Sequence, residues 1–403
     1  MLADRTRRIT ASPTQQVTLE AERLRRRGVD VVDLGAGEPD FPTPAHVKAA
    51  GAAAIAADFT KYTPNAGVPE LKQAICDRYR ADYGVVYDAS ETIVSAGGKQ
   101  ALFNVAMVLC DPGDEVVTHA PGWPSIVEQI KLADAEAVVV RTYPEDGFTL
   151  HPGAVTEALT PRTKAVVINS PGNPTGALVS EDALAAIADA VARQGTWIVL
   201  DLCYEQLIYA DTPHNLPRVL DERMRDRTVL VGSLSKSYAM TGWRCGWALG
   251  PAALVQACNS LQSHTTSNVS SITQRAGIAA LAGPQDCVAE MRAEYRVRRD
   301  QLMAWLGEDE RIRCVVPGGA FYLFPDISAL LSVDGLRTSS EFAAALLHHA
   351  HVALTAGEAF DAPGFLRISY AASLDRLQEG VERIRAFIGA LDRGEISSTT
   401  VPA

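Results

Sequence analysis

The chain has 403 residues, 47% of them apolar and 21% charged, so it can bury more than one hydrophobic core and does not have the composition of a disordered chain. Its 37 basic and 48 acidic side chains give a net charge of −11, which disfavours binding to nucleic acid or to anionic membranes. No stretch reaches the ~18 apolar residues of a membrane helix, and the first residues lack the apolar segment of a secretory signal.

The middle of the chain alternates short apolar, β-branched runs with longer helical patterns. The runs predict buried strands at residues 91–95, 115–118, 137–140, 165–168, 197–200 and 228–231. Helical stretches such as residues 181–193 separate most of them. This alternation predicts an α/β fold with a mostly parallel central sheet covered by helices. Ligands are then expected beyond the carboxyl ends of the strands.

The last third of the chain predicts a smaller α+β domain. Residues 286–305 predict one long charged helix. Short strands are predicted at residues 314–316, 321–324, 352–354 and 366–369. In the final helix Ser373 is the expected N-cap, and the predicted apolar face consists of Leu374, Leu377, Val381, Ile384, Ile388 and Leu391. We expect the polar tail after Asp392 to be disordered.

The cysteines and histidines do not form the pattern of a metal site. The seven cysteines are odd in number and include no CxxC pair, which argues against a disulfide framework or a zinc site and predicts a cytoplasmic location. His348, His349 and His351 have no carboxylate or cysteine at ligand spacing. We interpret them as the end of an exposed helix.

Two glycine-containing loops are candidates for cofactor binding. Gly35-Ala36-Gly37 opens like a dinucleotide-binding motif, but Glu38-Pro39-Asp40 follows and prevents the required helix start. Gly97-Gly98-Lys99-Gln100 instead follows a strand and opens an apolar helix, where free N–H groups and the positive helix end suit one phosphate. A plain strand-to-helix turn is the alternative. The Walker pattern of nucleoside-triphosphate sites is absent.

A lysine follows the last predicted strand of the sheet. Lys236 ends the run Ser233-Leu234-Ser235-Lys236, and Arg244 lies eight residues further on. The two hydroxyls and the guanidinium form a second set of phosphate-binding groups. A lysine beside a phosphate cradle indicates an imine-forming lysine in the site of a phosphate-bearing cofactor.

Polar residues also end two other predicted strands. Asp201 is a candidate metal ligand, base or partner for a ring nitrogen, or a simple helix N-cap, and no second metal ligand accompanies it. The prolines and glycines of residues 169–176 predict a rigid turn, in which Asn173 precedes Pro174 at a candidate cis bond. An ordinary loop is the alternative interpretation of that turn.

The order of these motifs carries a family resemblance. The series is AGEPDF (36–41), KYTPNAG (61–67), GGKQALFN (97–104), NSPGNPTG (169–176), SLSK (233–236), GWRCG (242–246) and FLRISYA (365–371). Over about residues 5–390 the chain resembles class I aminotransferases of pyridoxal-phosphate fold type I, in the branch with many bacterial aspartate aminotransferases. The resemblance implies a large cofactor domain of residues 46–290 and a discontinuous small domain of residues 1–45 and 291–403.

The resemblance implies roles around the cofactor ring. Lys236 would form the internal aldimine with pyridoxal 5′-phosphate and then move the proton at the substrate Cα. Asp201 would pair with the pyridinium nitrogen, and Tyr204 and Asn173 would bond the ring oxygen. Trp123 would stack on the ring face.

The resemblance also implies a phosphate site and a homodimer. The phosphate-binding residues would be Gly98, Lys99, Gln100, Ser233, Ser235 and Arg244. Tyr62 would reach the phosphate of the neighbouring subunit, so the active sites would lie at a subunit interface.

Substrate binding would use two cations. Arg367 matches the position that binds the α-carboxylate, and Gly37, Trp123 and Asn173 would line the same pocket. Lys99 matches the lysine that faces the distal carboxylate in aspartate-using members, with phosphate contact or exposure as alternatives. No metal ligand is expected.

The implied activity is amino-group transfer from aspartate to 2-oxoglutarate by a ping-pong mechanism. Alternatives are an aminotransferase for aromatic, alanine-type or specialised biosynthetic amino acids, or a pyridoxal-phosphate lyase or cyclase on the same fold. Three departures bear on the substrate: Leu202-Cys203 replaces the usual acidic residue after Asp201, Pro124-Ser125-Ile126 lacks a second aromatic residue, and Thr14-Gln15-Gln16 replaces small hydroxyl residues.

Overall fold

A computed structural model describes residues 2–3, 5–11, 13–209, 214–331 and 336–396. The α-helices of this part of the chain are α1 (Arg5–Arg8), α2 (Pro13–Arg26), α3 (Ala45–Ala56), α4 (Pro69–Tyr83), α5 (Gly98–Leu109), α6 (Pro124–Leu132), α7 (Pro152–Glu157), α8 (Glu181–Ala192), α9 (Leu216–Met224), α10 (Leu234–Ser237), α11 (Ala252–Thr265), α12 (Ser271–Ala282), α13 (Asp286–Leu306), α14 (Ser339–Ala350) and α15 (Leu374–Asp392). Its strands are β1 (Val32–Asp33), β2 (Thr92–Ser95), β3 (Glu115–Ala120), β4 (Glu136–Arg141), β5 (Thr163–Asn169), β6 (Trp197–Asp201), β7 (Thr228–Ser233), β8 (Gly246–Leu249), β9 (Tyr322–Leu323), β10 (Val352–Ala353), β11 (Thr355–Ala356) and β12 (Leu366–Ser369).

A seven-stranded sheet forms the centre of the molecule, in the order β2-β8-β7-β6-β5-β3-β4. Strand β8 runs antiparallel to both of its neighbours, and the other pairs are parallel. The predicted fold class and all six predicted strands of this sheet are confirmed. Strand β8 was not predicted, because its four residues directly follow a glycine-containing loop.

Both faces of the sheet are buried. In β6, Ile198 and Leu200 pack into one apolar cluster while Val199 packs into another on the opposite face. Neighbouring β7 repeats this alternation, with Leu230 on the first side and Val229 and Val231 on the second. Side chains of a strand alternate between faces, so a sheet covered on both sides needs continuous apolar runs.

A separate apolar cluster joins the start of the chain to its last third. Val32 and Leu34 pack with the apolar faces of α13, α14 and α15 and with the three-stranded sheet β11-β12-β9. Ser373 caps α15 as predicted, since its side chain accepts the Arg376 N–H. The predicted division into domains of residues 46–290 and of residues 1–45 with 291–403 stays a prediction.

The strand predicted at residues 314–316 is wrong: Pro317 follows, and the bridge beside this stretch joins Arg313 to Asp326 instead. His348 and His349 lie in the last turn of α14, and His351 ends it with a left-handed backbone conformation (φ 57°). Of the tail after Asp392, residues 397–403 lie outside the described part of the chain.

None of the helices in the described ranges has the length and apolar character needed to cross a membrane. Within the same ranges, no group of three or more histidine, cysteine or acidic side chains is arranged to hold a metal ion.

Candidate active site

A cavity of about 570 Å³ lies where β5, β6 and β7 end. The N-terminus of α5 and the loop of residues 35–38 close its other sides. Twelve of the predicted site residues line it together: Gly37, Gly98, Lys99, Trp123, Asn173, Asp201, Tyr204, Ser233, Ser235, Lys236, Arg244 and Arg367. These side chains therefore converge beyond the carboxyl ends of the strands, where a ligand site was expected.

Lys236 lies in the short helix α10, and this half-buried residue lines the cavity. Its Nζ donates a hydrogen bond to the carbonyl oxygen of Gly37. Burial lowers the pKa of the Lys236 amine to about 8, and the positive charges of Arg367 and Arg244 act in the same direction. A neutral amine is the form that attacks a carbonyl, so this lysine is a nucleophile near neutral pH.

We expect the Lys236 amine of the cofactor-free chain to become fully reactive at a lower pH than an ordinary lysine. Reactivity toward acetic anhydride follows the neutral fraction, so it should be half-maximal near pH 8, the pKa of this amine, and level off about one pH unit higher. In the urea-unfolded chain the same lysine should reach half-maximal reactivity only at about pH 10.4, the ordinary lysine pKa. Competitive labelling with mass spectrometry of the Lys236 peptide measures both curves. Superimposable curves for the folded and unfolded chains would contradict the expected shift.

Asp201 is a buried carboxyl group at the end of β6. It is 2% exposed, and its Oδ1 accepts the Cys203 N–H at 3.1 Å. Among the described residues it has no ion-pair partner within 4 Å. Burial raises its pKa to about 6. The cost of burying a carboxylate that has no cationic partner is offset when a ligand with a positively charged N–H group binds beside it.

The N-terminus of α5 forms an anion cradle. Gly97 precedes the helix with φ 85°, which favours glycine, and Gly98 and Lys99 begin it. The N–H groups of these first helical residues have no acceptor within the helix. A Cβ atom on Gly97 would lie 2.7 Å from Nη2 of Arg244, so only glycine lets the guanidinium close on the loop.

Two serines extend this cradle from β7 and α10. Ser233 Oγ lies 2.8 Å from Ser235 Oγ and accepts the Ser235 N–H. Both hydroxyls line the cavity with Arg244 and the α5 terminus. Hydroxyl, backbone N–H and guanidinium donors together form the donor set that binds a phosphate monoester.

Two predicted residues do not line this cavity. The Gln100 backbone N–H donates to the Gly97 carbonyl, and its side chain bonds the Ala96 N–H and the Thr266 hydroxyl. Tyr62 is 92% exposed and lies outside the cavity of its own chain. The phosphate role of Gln100 and the role of Tyr62 in a neighbouring subunit stay predictions.

Asn173 and Tyr204 belong to hydrogen-bond networks at the cavity wall. The Asn173 N–H donates to Oδ1 of Asn169 at 2.9 Å, and the Asn173–Pro174 bond is cis, as predicted. The hydroxyls of Tyr204 and Tyr322 are 2.9 Å apart. Burial, reinforced by Tyr322, raises the pKa of Tyr204 well above its ordinary value, so the phenol is a proton donor at neutral pH.

Arg367 is a buried guanidinium that lacks an anion. It is 2% exposed and donates to the carbonyl of Gly35 at 2.7 Å and to Oδ1 of Asn173 at 3.1 Å. Its Nε has no hydrogen-bond partner, and no carboxylate of the described residues pairs with it. The guanidinium carbon lies 4.4 Å from the Tyr322 ring centroid. A buried, uncompensated cation at the cavity wall is a site for a carboxylate.

Lys99 supplies a second cation. Its Nζ lies 4.9 Å from the centroid of the Trp123 ring. Burial, followed by the charge of Arg244, lowers the pKa of the Lys99 amine. The cavity therefore has cationic groups at separate positions, Lys99 beside Trp123 and Arg367 beside Tyr322.

Residues 29–384 match the family model described as aminotransferase class I and II. The chain belongs to this family. It is 43% identical over 389 residues to an aspartate aminotransferase of Geobacillus stearothermophilus, covering 96% of this chain and 99% of that protein. Over 396 residues it is 42% identical to an aspartate/prephenate aminotransferase of Cereibacter sphaeroides, covering 97% and 99% of the two chains.

A solved structure of an aspartate aminotransferase has the same fold as this aminotransferase. The aspartate aminotransferase of Thermus thermophilus with maleate superposes with a TM-score of 0.91 at 40% identity, covering 96% of this chain and 99% of that one. The predicted family, fold class and enzyme class are confirmed. The chain is an enzyme that transfers amino groups.

The structure also adds cavity residues of this aminotransferase that were not predicted. Tyr322 lies on β9, Asn169 ends β5, and Glu38 accepts a hydrogen bond from Thr241 at 2.8 Å. Cys203, noted only as a departure from the family pattern, also lines the cavity. Asn169 and Glu38 lie inside the motifs NSPGNPTG and AGEPDF, so the motif boundaries were a usable signal for them.

Proposed function

We propose that this aminotransferase uses pyridoxal 5′-phosphate and transfers the amino group of aspartate to 2-oxoglutarate by a ping-pong mechanism. The observation that carries the proposal is the buried Arg367 guanidinium, which has no acidic partner among the described residues and shares one cavity with the Lys236 amine. An amine nucleophile and a carboxylate receptor in one cavity are the requirements for binding and converting an α-amino acid.

The residues present fit the cofactor. The unpaired Asp201 carboxyl suits the protonated ring nitrogen, and the glycine loop leaves room at α5 that a Cβ atom would fill. The backbone N–H groups of Gly98 and Lys99 and the side chains of Ser233, Ser235 and Arg244 would hold the phosphate. Asn173 and Tyr204 would bond the ring oxygen, and Trp123 would stack on the ring face. When bound, the cofactor supplies an electron sink for negative charge at the substrate Cα.

Lys236, Asp201 and Tyr204 would then each have a separate role in the reaction. Nζ of Lys236 would bind the cofactor in the resting enzyme and hold the proton taken from the substrate Cα during transfer, for which a pKa of about 8 is well matched. Asp201 would keep the ring nitrogen protonated. The Tyr204 hydroxyl, a donor at neutral pH, would stabilise the ring oxygen.

Aspartate and 2-oxoglutarate are proposed because both carry two carboxylates. Arg367 would bind the α-carboxylate through its planar fork, with the Gly37 backbone beside it. Lys99 would face the distal carboxylate. The names of the relatives support this assignment. The Thermus thermophilus enzyme was solved with maleate, which is a dicarboxylate, and this supports a site with two carboxylate-binding cations.

A panel of half-reactions tests the substrate. The enzyme loaded with pyridoxal 5′-phosphate is mixed with single amino acids, and the change in the visible absorbance of the cofactor is followed. Aspartate and glutamate should react fastest. Faster reaction with aromatic amino acids or alanine would overturn the aspartate assignment. Release of pyruvate or ammonia without a 2-oxo acid would indicate a lyase instead.

Replacing Lys99 by alanine should change the substrate preference. We expect kcat/KM for aspartate to fall about 30- to 100-fold, since a charged hydrogen bond to one carboxylate is lost. The value for alanine, which has no distal carboxylate, should change less than about 3-fold. Steady-state kinetics with both substrates measures the ratio, with the exposed Lys48→Ala as matched control. Equal losses for aspartate and alanine would contradict a distal-carboxylate role.

We also propose a homodimer in the cytoplasm. Tyr62 is 92% exposed in one chain, as expected for a side chain that enters the site of a neighbouring subunit. All seven cysteines are free thiols, which suits a reducing compartment. Sedimentation analysis of the purified enzyme tests the dimer, and a monomeric active enzyme would overturn it.

A further inference from the structure

The central sheet opens between β3 and β5 next to the cavity. Parallel pairing of these strands runs from Glu115 with Thr163 to Val117 with Val166 and stops there. Further along, β3 continues to pair with β4 on its other side, and β5 continues to pair with β6 as far as Asn169 and Asp201. The last residues of β5 therefore lack ladder partners on the β3 side.

His119 fills this gap. Its Nε2 accepts the backbone N–H of Asn169 at 3.3 Å, in place of the missing ladder acceptor. The backbone of Pro121, two residues on, acts on the ring in the direction that raises its pKa, but this effect is smaller than that of burial. Burial lowers the pKa of His119 to about 4, so the ring is neutral and has one acceptor and one donor nitrogen.

The hydrogen bond of the His119 ring and the turn that follows His119 lead to different walls of the cavity. On one side, Asn169 accepts the Asn173 N–H at 2.9 Å and donates from Nδ2 to the Asp201 carbonyl at 3.3 Å. On the other side, the turn after Pro121 carries Trp123. A Cβ atom on Gly122 would lie 2.3 Å from the His119 carbonyl oxygen, so this turn folds tightly back on His119.

We propose that His119 is a positioning residue for amino-group transfer, because it ties the turn that carries Trp123 to the loop that carries Asn173 at a gap in the sheet. The inference rests on the proposed function, in which Trp123, Asn173 and Asp201 hold the cofactor ring. His119 does not line the cavity, so it acts through these neighbours.

Three variants of the full chain separate positioning from general stability. His119→Leu keeps a similar volume and loses the ring nitrogen that accepts the Asn169 N–H. His119→Gln restores a carbonyl acceptor for the Asn169 N–H. His46→Leu is the matched control, since His46 is also half-buried but lies at the start of α3, outside the cavity.

The first readout does not depend on turnover. Hydrogen exchange of the peptide spanning residues 163–172 is measured with and without pyridoxal 5′-phosphate. In His119→Leu we expect exchange at least about 10-fold faster in both states, and in His119→Gln within about 3-fold of the parent. Unchanged exchange in His119→Leu would overturn the proposal.

The second readout is the aspartate half-reaction of the loaded enzyme, together with the visible circular dichroism of the cofactor. His119→Leu should lower the maximal rate about 10- to 100-fold and weaken the dichroism, and His119→Gln should recover most of both. Equal losses in His119→Gln and His119→Leu, or a similar loss in His46→Leu, would overturn positioning. If the parent enzyme itself converts no amino acid, the proposed function fails, and hydrogen exchange still decides the role of His119.

Discussion

Replacing Lys236 by alanine is expected to abolish multiple turnover and to lower kcat by at least about 10⁴-fold. The reason is that one amine has two tasks, binding the cofactor and holding the Cα proton. Among the described residues, Lys99 is the only other lysine that lines the cavity, and its amine lies against the Trp123 ring. The measurement is a coupled assay with aspartate and 2-oxoglutarate at saturating cofactor.

Two controls separate this loss from misfolding. The phosphate cradle is unchanged in Lys236→Ala, so pyridoxal 5′-phosphate should still bind and raise the melting temperature of the variant. Added methylamine should restore part of the activity, because the cavity left by the side chain admits a small amine that can carry the proton. Multiple turnover in Lys236→Ala without added amine would show that this residue is not the base.

The carboxyl-end cluster could be predicted from sequence because it depends on local patterns. The strands that end at Asn169, Asp201 and Ser233 are continuous apolar runs, and parallel strands present their carboxyl ends at one edge. Asp201 and Ser233, which follow two of these runs, were therefore expected at this edge, whereas Asn169 was only part of the motif of residues 169–176. The glycine loop before α5 is a further local signal, because it combines a strand end with a helix start.

Contacts between distant parts of the chain could not be predicted in this way. The bond between the Tyr204 and Tyr322 hydroxyls joins positions 118 residues apart, and no periodicity of either segment indicates it. The Arg367 guanidinium likewise donates to the carbonyl of Gly35, which lies 332 residues away in the chain. The sequence could not predict that the pairing of β3 with β5 ends at Val117 and Val166, because both strands have the same apolar composition as strands that pair along their whole length.

The charge of the whole chain and the charge of the site have opposite signs. The net charge is −11, yet Lys99, Lys236, Arg244 and Arg367 all line the cavity, against the acidic Asp201 and Glu38. Screening in water limits the reach of surface charges to about 10 Å, whereas partly buried cations act on a ligand directly. Local placement therefore decides which small ligands bind, while net charge bears on large polyanions.

Replacing Arg367 by lysine is expected to lower kcat/KM about 10²- to 10³-fold for every amino-acid substrate, or about 3–4 kcal/mol. A lysine ammonium cannot reproduce the planar fork that meets a carboxylate. It would also leave the Gly35 carbonyl or the Asn173 amide without the donor it has now. Steady-state kinetics with aspartate and with alanine measures the loss.

Comparing aspartate with alanine distinguishes the role of Arg367 from that of Lys99. Because all amino acids share the α-carboxylate, aspartate and alanine should lose similar factors in Arg367→Lys, in contrast to the selective loss expected for Lys99→Ala. Arg275→Lys, at a cation that stacks on Phe59 outside the cavity, is the matched control and should keep its activity. A loss confined to aspartate would indicate that Arg367 binds the distal carboxylate and Lys99 the α-carboxylate, the reverse of the proposed assignment. A change of less than about 3-fold for both substrates would remove Arg367 from substrate binding, because a buried charged contact of this kind is worth more than that.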